Sequence, residues 1–191
     1  MALIGGFIFL GVLALLVLYF IVVYNQLVNL KHAVAKAWSN IDVLLKQRHD
    51  ELPKLVETCK QYMKHERETL EQVMRARAGV SQARESSNMA ALGAAETQLR
   101  MGLTQLFAVA ESYPNLKADE SFRNLQNRVS GLENAIADRR EFYNESVNNN
   151  NVRIEQFPDL IVARLFAFQP FELLEFSEEE KRDVDVKALF S

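Results

Sequence analysis

Three histidines, one cysteine and a four-residue charged cluster are the residues of this 191-residue chain best suited to chemistry. A di-metal centre in a helical bundle is marked by Glu-x-x-His on two helices. Three positions before His32, His49 and His65 stand Asn29, Lys46 and Tyr62, so that pattern is absent. The cluster Arg48-His49-Asp50-Glu51 offers an acid, a base and a cation. Consecutive residues on a helix point in different directions, so the four do not converge on one substrate atom. They read as a charged helix end beside Pro53. Cys59 has no companion for an internal disulfide and reads as a small buried residue on an apolar stripe. No phosphate loop, nucleophile elbow or HExxH occurs. No catalytic, cofactor-binding or metal-ligating residue is assigned, and neither is a small-molecule substrate.

Two charges are informative for another reason. Glu66 and Arg77 both fall on an apolar helical seam, too far apart to bond each other within one helix. A buried unpaired charge is costly, so each needs a partner on another helix. Arg139 or Arg140 is the expected partner of Glu66. Trp38, the only tryptophan, neighbours seam residues and reads as a core or helix–helix contact.

The elements that position these residues are all helical. From Tyr24 to Asp50 the apolar residues Leu27, Leu30, Val34, Ala37, Ile41 and Leu44 recur every three or four positions. Pro53 is expected to end or kink this helix, because it lacks an N–H and clashes with the preceding turn. A second helix is expected from Pro53 to Arg84, with a turn and N-cap at Ser86-Ser87-Asn88. A third, rich in small residues, runs from Met89 to Tyr113 and stops at Pro114. A fourth starts near Asp119 or Ser121 and is expected to run through Asn148–Asn151 to Pro158, since its apolar period resumes in phase. A short helix over Leu160–Phe166 precedes a Phe-rich, then acidic, tail. The fold class is therefore all-α: an N-terminal transmembrane helix continuing into an elongated antiparallel helical bundle. The expected divisions are an anchor at 1–24, a bundle at 25–158 and a short helix with tail at 159–191.

The anchor rests on composition. No Asp, Glu, Lys or Arg occurs from Met1 to Leu30, and a bilayer core needs about 20 apolar residues in a helix. The anchor residues include Leu3, Ile4, Phe7, Leu10, Leu13, Leu16, Phe20 and Val23. A cleaved signal peptide would want a basic start, a shorter apolar run and a small-x-small site, so the segment is expected to be retained. Lys31 and Lys36 follow the run and no basic side chain precedes it, which places the bundle in the cytoplasm and the N-terminus outside. Residues 31–84 carry 11 Lys/Arg against 7 Asp/Glu, and residues 85–191 carry 11 against 18. The basic half suits an anionic leaflet; the acidic half argues against nucleic acid.

Several runs carry a family likeness. Tyr24-Asn25-Gln26-Leu27-Val28, Trp38-Ser39-Asn40-Ile41-Asp42-Val43 and Lys46 through Thr58, with Arg48, His49, Pro53 and Glu57, are followed by Tyr113 through Ala118. Phe122, Glu133, Arg140, Tyr143-Asn144 and Asn150 through Phe157-Pro158 complete it. In this order the chain resembles the LemA family. The resemblance implies a bacterial single-pass protein of the cell inner membrane with an antiparallel helical bundle, and supplies no reaction and no catalytic residues. Trp38, Ile41, Asp42, Arg48, His49, Pro53, Glu57, Glu66, Arg140, Phe157 and Pro158 are accordingly read as structural positions. The Asn148–Asn151 tract and the acidic tail from Ser177 depart from the family pattern. The expected role is a non-enzymatic scaffold whose partners are the lipid bilayer and either a second copy or an unidentified protein. The alternative is a sensor or adaptor that signals through its first helix.

Overall fold

The computed structural model describes residues 2–175. They form six helices, and no strand is present among the described residues. These are α1 (Ala2–Tyr62), α2 (Arg67–Glu85), α3 (Met89–Ala110), α4 (Pro114–Ala118), α5 (Glu120–Glu155) and α6 (Asp159–Leu165). The all-α expectation holds. The acidic run from Ser177 lies outside the described residues.

Two compact units divide the chain. In the first, residues up to Ser39 pack with Glu141–Glu172. Its apolar centre is Val23, Leu27, Ile154, Val162 and Ala163, flanked by Phe20 and Phe168. Trp38 is half-buried and meets Tyr143 edge-on at 5.9 Å between ring centroids, as its neighbourhood on the seam suggested. α5 runs unbroken through Asn148–Asn151. Asn is a poor helix former, yet two of these residues are put to use. Asn150 is buried on the seam step between Val147 and Ile154. Asn151 holds the backbone of Phe171 at both ends: its Oδ1 accepts from Phe171 N–H and its Nδ2 donates to Phe171 C=O, each at 2.9 Å. Tyr143 donates its hydroxyl hydrogen to the Glu172 carbonyl at 2.9 Å.

In the second unit, Asn40–Arg140 packs with the segment that starts at Leu173. α2 and α3 are joined by the expected turn, and Asn88 caps α3 by accepting from Ala91 N–H. The two helices are antiparallel: Gly79 faces Ala95 while Gly102 faces Val73. Small residues on α3 thus serve contacts inside this chain. Gly93 is the tightest, since a Cβ there would stand 2.6 Å from the Glu175 carbonyl oxygen.

Three expectations about boundaries are corrected. Pro53 neither ends α1 nor starts α2; the helix passes through it to Tyr62. The chain turns instead at Met63–Glu66, a stretch with no Gly or Pro to mark it. Residues from elsewhere, Asp119 and Tyr113, hold this turn. Tyr62 donates to Asp119 at 2.9 Å, and Tyr113 donates to Glu66 at 3.1 Å. Finally, α3 stops at Ala110, short of Tyr113, and Pro114 opens α4 as its first residue, where its missing N–H costs nothing. Asp119 then accepts from Phe122 N–H at 3.0 Å to start α5. That backbone donor, followed by Tyr62, holds the Asp119 carboxyl below the usual carboxylate range.

Candidate functional site

The seam of α1 does not stop at Leu44. From Ile41 it steps to Leu45, Arg48, Leu52, Leu55 and Cys59, all buried. Arg48 therefore occupies a core position, with 1% of its surface exposed. The seam of α3 steps from Leu92 through Glu96 to Leu99, and Glu96 is buried as well. On α5 Glu133 lies between Val129 and Ile136. These polar breaks in three apolar stripes meet. The Arg48 guanidinium gives Nη2 to Glu96 Oε1 and Nη1 to Glu133 Oε1. Burial opposes the Arg48 charge, but the Glu96 and Glu133 carboxylates outweigh it and raise its pKa above the ordinary value. Arg100 adds a second cation, with Nε 3.9 Å from Glu133 Oε2. Arg48 and Arg100 thus stand against the carboxylates of Glu96 and Glu133.

The charged-helix-end reading of Arg48–Glu51 is thereby corrected. The residues do diverge, as helical geometry requires, but each inward-facing one reaches a different partner. Glu51 is buried and its Oε1 accepts from Arg128 at 2.6 Å and from Lys54 at 3.2 Å. His49 meets Arg77 of α2. Arg77 Nη2 lies 2.6 Å from His49 Nε2. Arg has only donors, so Nε2 accepts and the imidazole is neutral with its hydrogen on Nδ1.

Arg77 also explains how α1 survives its proline. Pro53 has no N–H to give to the carbonyl four residues back, which belongs to His49. Arg77 Nε donates to that carbonyl at 2.8 Å. The seam arginine has the interhelical partner its position demanded. Glu66 has a different one from that expected. It precedes α2, outside the helical seam, and accepts from Tyr113 rather than from Arg139 or Arg140. Arg140 itself is buried on the α5 seam between Ile136 and Tyr143.

Burial first, and the Arg77 charge second, lower the His49 pKa below its ordinary value. The folded chain then binds fewer protons than the unfolded chain. The stability contribution is full above about pH 6.5 and is lost as pH falls toward the folded pKa. Thermal melts at about pH 7.5 and about pH 5.5 should show the wild type losing more than His49→Gln, which cannot titrate there. Equal losses would remove His49 from the acid response.

Cys59 is fully buried, and burial pushes its thiol pKa up to about 12. Such a thiol is neither a nucleophile nor a ligand at neutral pH. Among the described residues no three His, Cys, Asp or Glu side chains gather as metal ligands would. An open groove of about 500 Å³ lies beside the Met63–Glu66 turn, where Lys60, Lys64 and Arg67 rim a floor of Val56, Met63 and Leu70.

These seam positions lie in a region that matches the LemA family profile, which covers residues 37–188. The chain belongs to the LemA family. The match takes in Trp38, Ile41, Arg48, Pro53, Glu133 and Arg140, and so the whole charge cluster of this LemA-family chain. Similarity to individual proteins is weaker. Magnetosome protein MamQ 2 of Paramagnetospirillum magneticum is 29% identical over 84 residues, 44% of this chain and 30% of MamQ 2. Magnetosome protein MamQ of Magnetospirillum gryphiswaldense is 27% identical over 84 residues, with the same shares. The LemA-family chain thus spans less than a third of the length of these curated relatives. Ahead of the matched region, α1 carries a window of mean hydropathy 2.9 that is 6% buried, long and apolar enough to cross a membrane.

Proposed function

We propose that this LemA-family chain is a membrane-anchored, non-enzymatic scaffold that acts through self-association, a protein partner or the membrane surface. One observation carries the reading. The large apolar side chains from Leu3 to Val22, apart from half-buried Phe20, are exposed along a helix that continues without a break to the buried core position Arg48. Exposed apolar surface of that extent belongs in lipid, where an α-helix satisfies its own backbone. The charges of the Arg48 cluster are spent on each other, which supports a role in holding helices together rather than in turning over a substrate. The bilayer is a bacterial inner membrane in this reading. Lys31 and Lys36, just beyond the apolar run, put the bundle on the cytoplasmic side.

Alkaline extraction of membranes, followed by crosslinking in native membranes, tests both halves. The chain should stay with the membrane and crosslink into a species larger than one chain. Release into the wash would sink the anchor, and a monomer without any partner would sink self-association and the protein partner. The alternative, a sensor that signals through α1, is favoured by the same unbroken helix. Inserting Gly-Pro near Val28 should then abolish output while membrane insertion persists; unchanged output excludes it.

A further inference from the structure

We propose that α6 is a second membrane contact, a short helix whose outward face inserts into the bilayer beside the transmembrane segment; this rests on the anchored reading above. α6 has two apolar faces. Val162 and Ala163 face inward and pack on Val23 and Leu27 of α1. Asp159, at the start of α6, is buried, accepts from the Tyr19 hydroxyl at 3.1 Å and is ion-paired with Arg153. Phe166, just after α6, lies 4.7 Å from Tyr24 between ring centroids. The short helix is therefore level with Tyr19–Leu27, the stretch where the apolar run of α1 gives way to polar residues.

The outward face carries Ile161 and Leu165, spaced by four, with exposed Phe157 in the turn before α6 and Phe166 just after it. Phe157 is 80% exposed and Leu165 68%. Four exposed large apolar side chains within ten residues, two on α6 and one just off each end, exceed what scattered surface residues account for. Their position says what covers them. A hydrocarbon core of about 30 Å takes about 20 helical residues. Started at Leu3, such a core ends near Val22, within the stretch that α6 flanks. In that same stretch Leu18, Ile21 and Val22 of α1 are exposed as well. An interfacial helix buries its apolar side about 5–10 Å into the headgroup boundary and keeps basic residues at the rim. Arg164 is exposed on α6 and suits a lipid phosphate.

The test uses the full chain in phosphatidylcholine–phosphatidylglycerol vesicles. Leu13→Cys, Phe142→Cys, Ile161→Cys and Leu165→Cys each receive an environment-sensitive thiol label; buried, protonated Cys59 does not compete. Phe142 is the aqueous control, since it neighbours Tyr143, which packs on Trp38, well past Tyr24. Lipid-borne quenchers should dim the Ile161 and Leu165 labels by roughly half, as for a probe at the headgroup–acyl boundary. The same quenchers should leave Phe142 bright, and an aqueous quencher should do the reverse. Quenching at Leu13 with Leu165 behaving like Phe142 would overturn the α6 contact and leave the anchor standing. Shielding of Leu165 from both quenchers would overturn it too, in favour of a second chain on this face. No lipid quenching at Leu13 would overturn both readings.

Discussion

Arg48→Met should lower the thermal midpoint of the detergent-solubilised chain by roughly 6–20 °C. The basis is the cost of stranding buried charge. Glu96 is buried and Glu133 nearly so, and Arg48 is the cation that bridges them. Removing one partner of a buried pair costs about 3–5 kcal/mol. For a chain of this size each kcal/mol moves the midpoint by about 2–4 °C. Arg100 recovers little, because it is partly exposed and its Nε stands 3.9 Å from Glu133. The companion result separates charge from packing. Arg48→Met with Glu96→Leu and Glu133→Leu should regain most of the loss, because a packed apolar cluster often matches a buried ionic one. A loss under about 2 °C for Arg48→Met, read by circular dichroism, would mean the cluster is solvated and marginal.

The second large effect concerns Pro53. Arg77→Met leaves the His49 carbonyl without the donor that replaces the missing Pro53 N–H. An orphaned buried acceptor costs about 1–3 kcal/mol; this one is part-buried, which puts it at the lower end, roughly 2–6 °C here. Pro53→Ala restores the N–H, so in that background Arg77→Met should cost clearly less. A double-mutant cycle measures the difference. A coupling within about 0.5 kcal/mol of zero would show the two residues acting independently.

Much of this was legible in the sequence. The helical period, the Asn88 cap and the continuity of α5 were readable because apolar spacing and capping chemistry are local. The charge cluster was readable in part. Carrying the α1 stripe one step past Leu44 lands on Arg48, and the same exercise finds Glu96 between Leu92 and Leu99. What no stripe reveals is which polar breaks meet, since that depends on helix packing. Pro53 misled for a related reason: its penalty is local, but Arg77, which relieves it, comes from another helix. The turn at Met63–Glu66 left no mark because partners remote in sequence, Asp119 and Tyr113, hold it, in place of the Gly or Pro that usually does.

The grip of Asn151 on Phe171 has a consequence for mutational tolerance. Both bonds go to main-chain atoms, an N–H and a C=O, and neither reads the phenylalanine ring. At position 171 these two bonds would hold any residue equally well except proline, which has no hydrogen to offer. At position 151 the freedom is reversed. Aspartate has the acceptor but not the donor, leucine has neither, and only a carboxamide of the right length supplies both. The helix residue is the constrained member of the pair, and the extended chain it holds is free to drift.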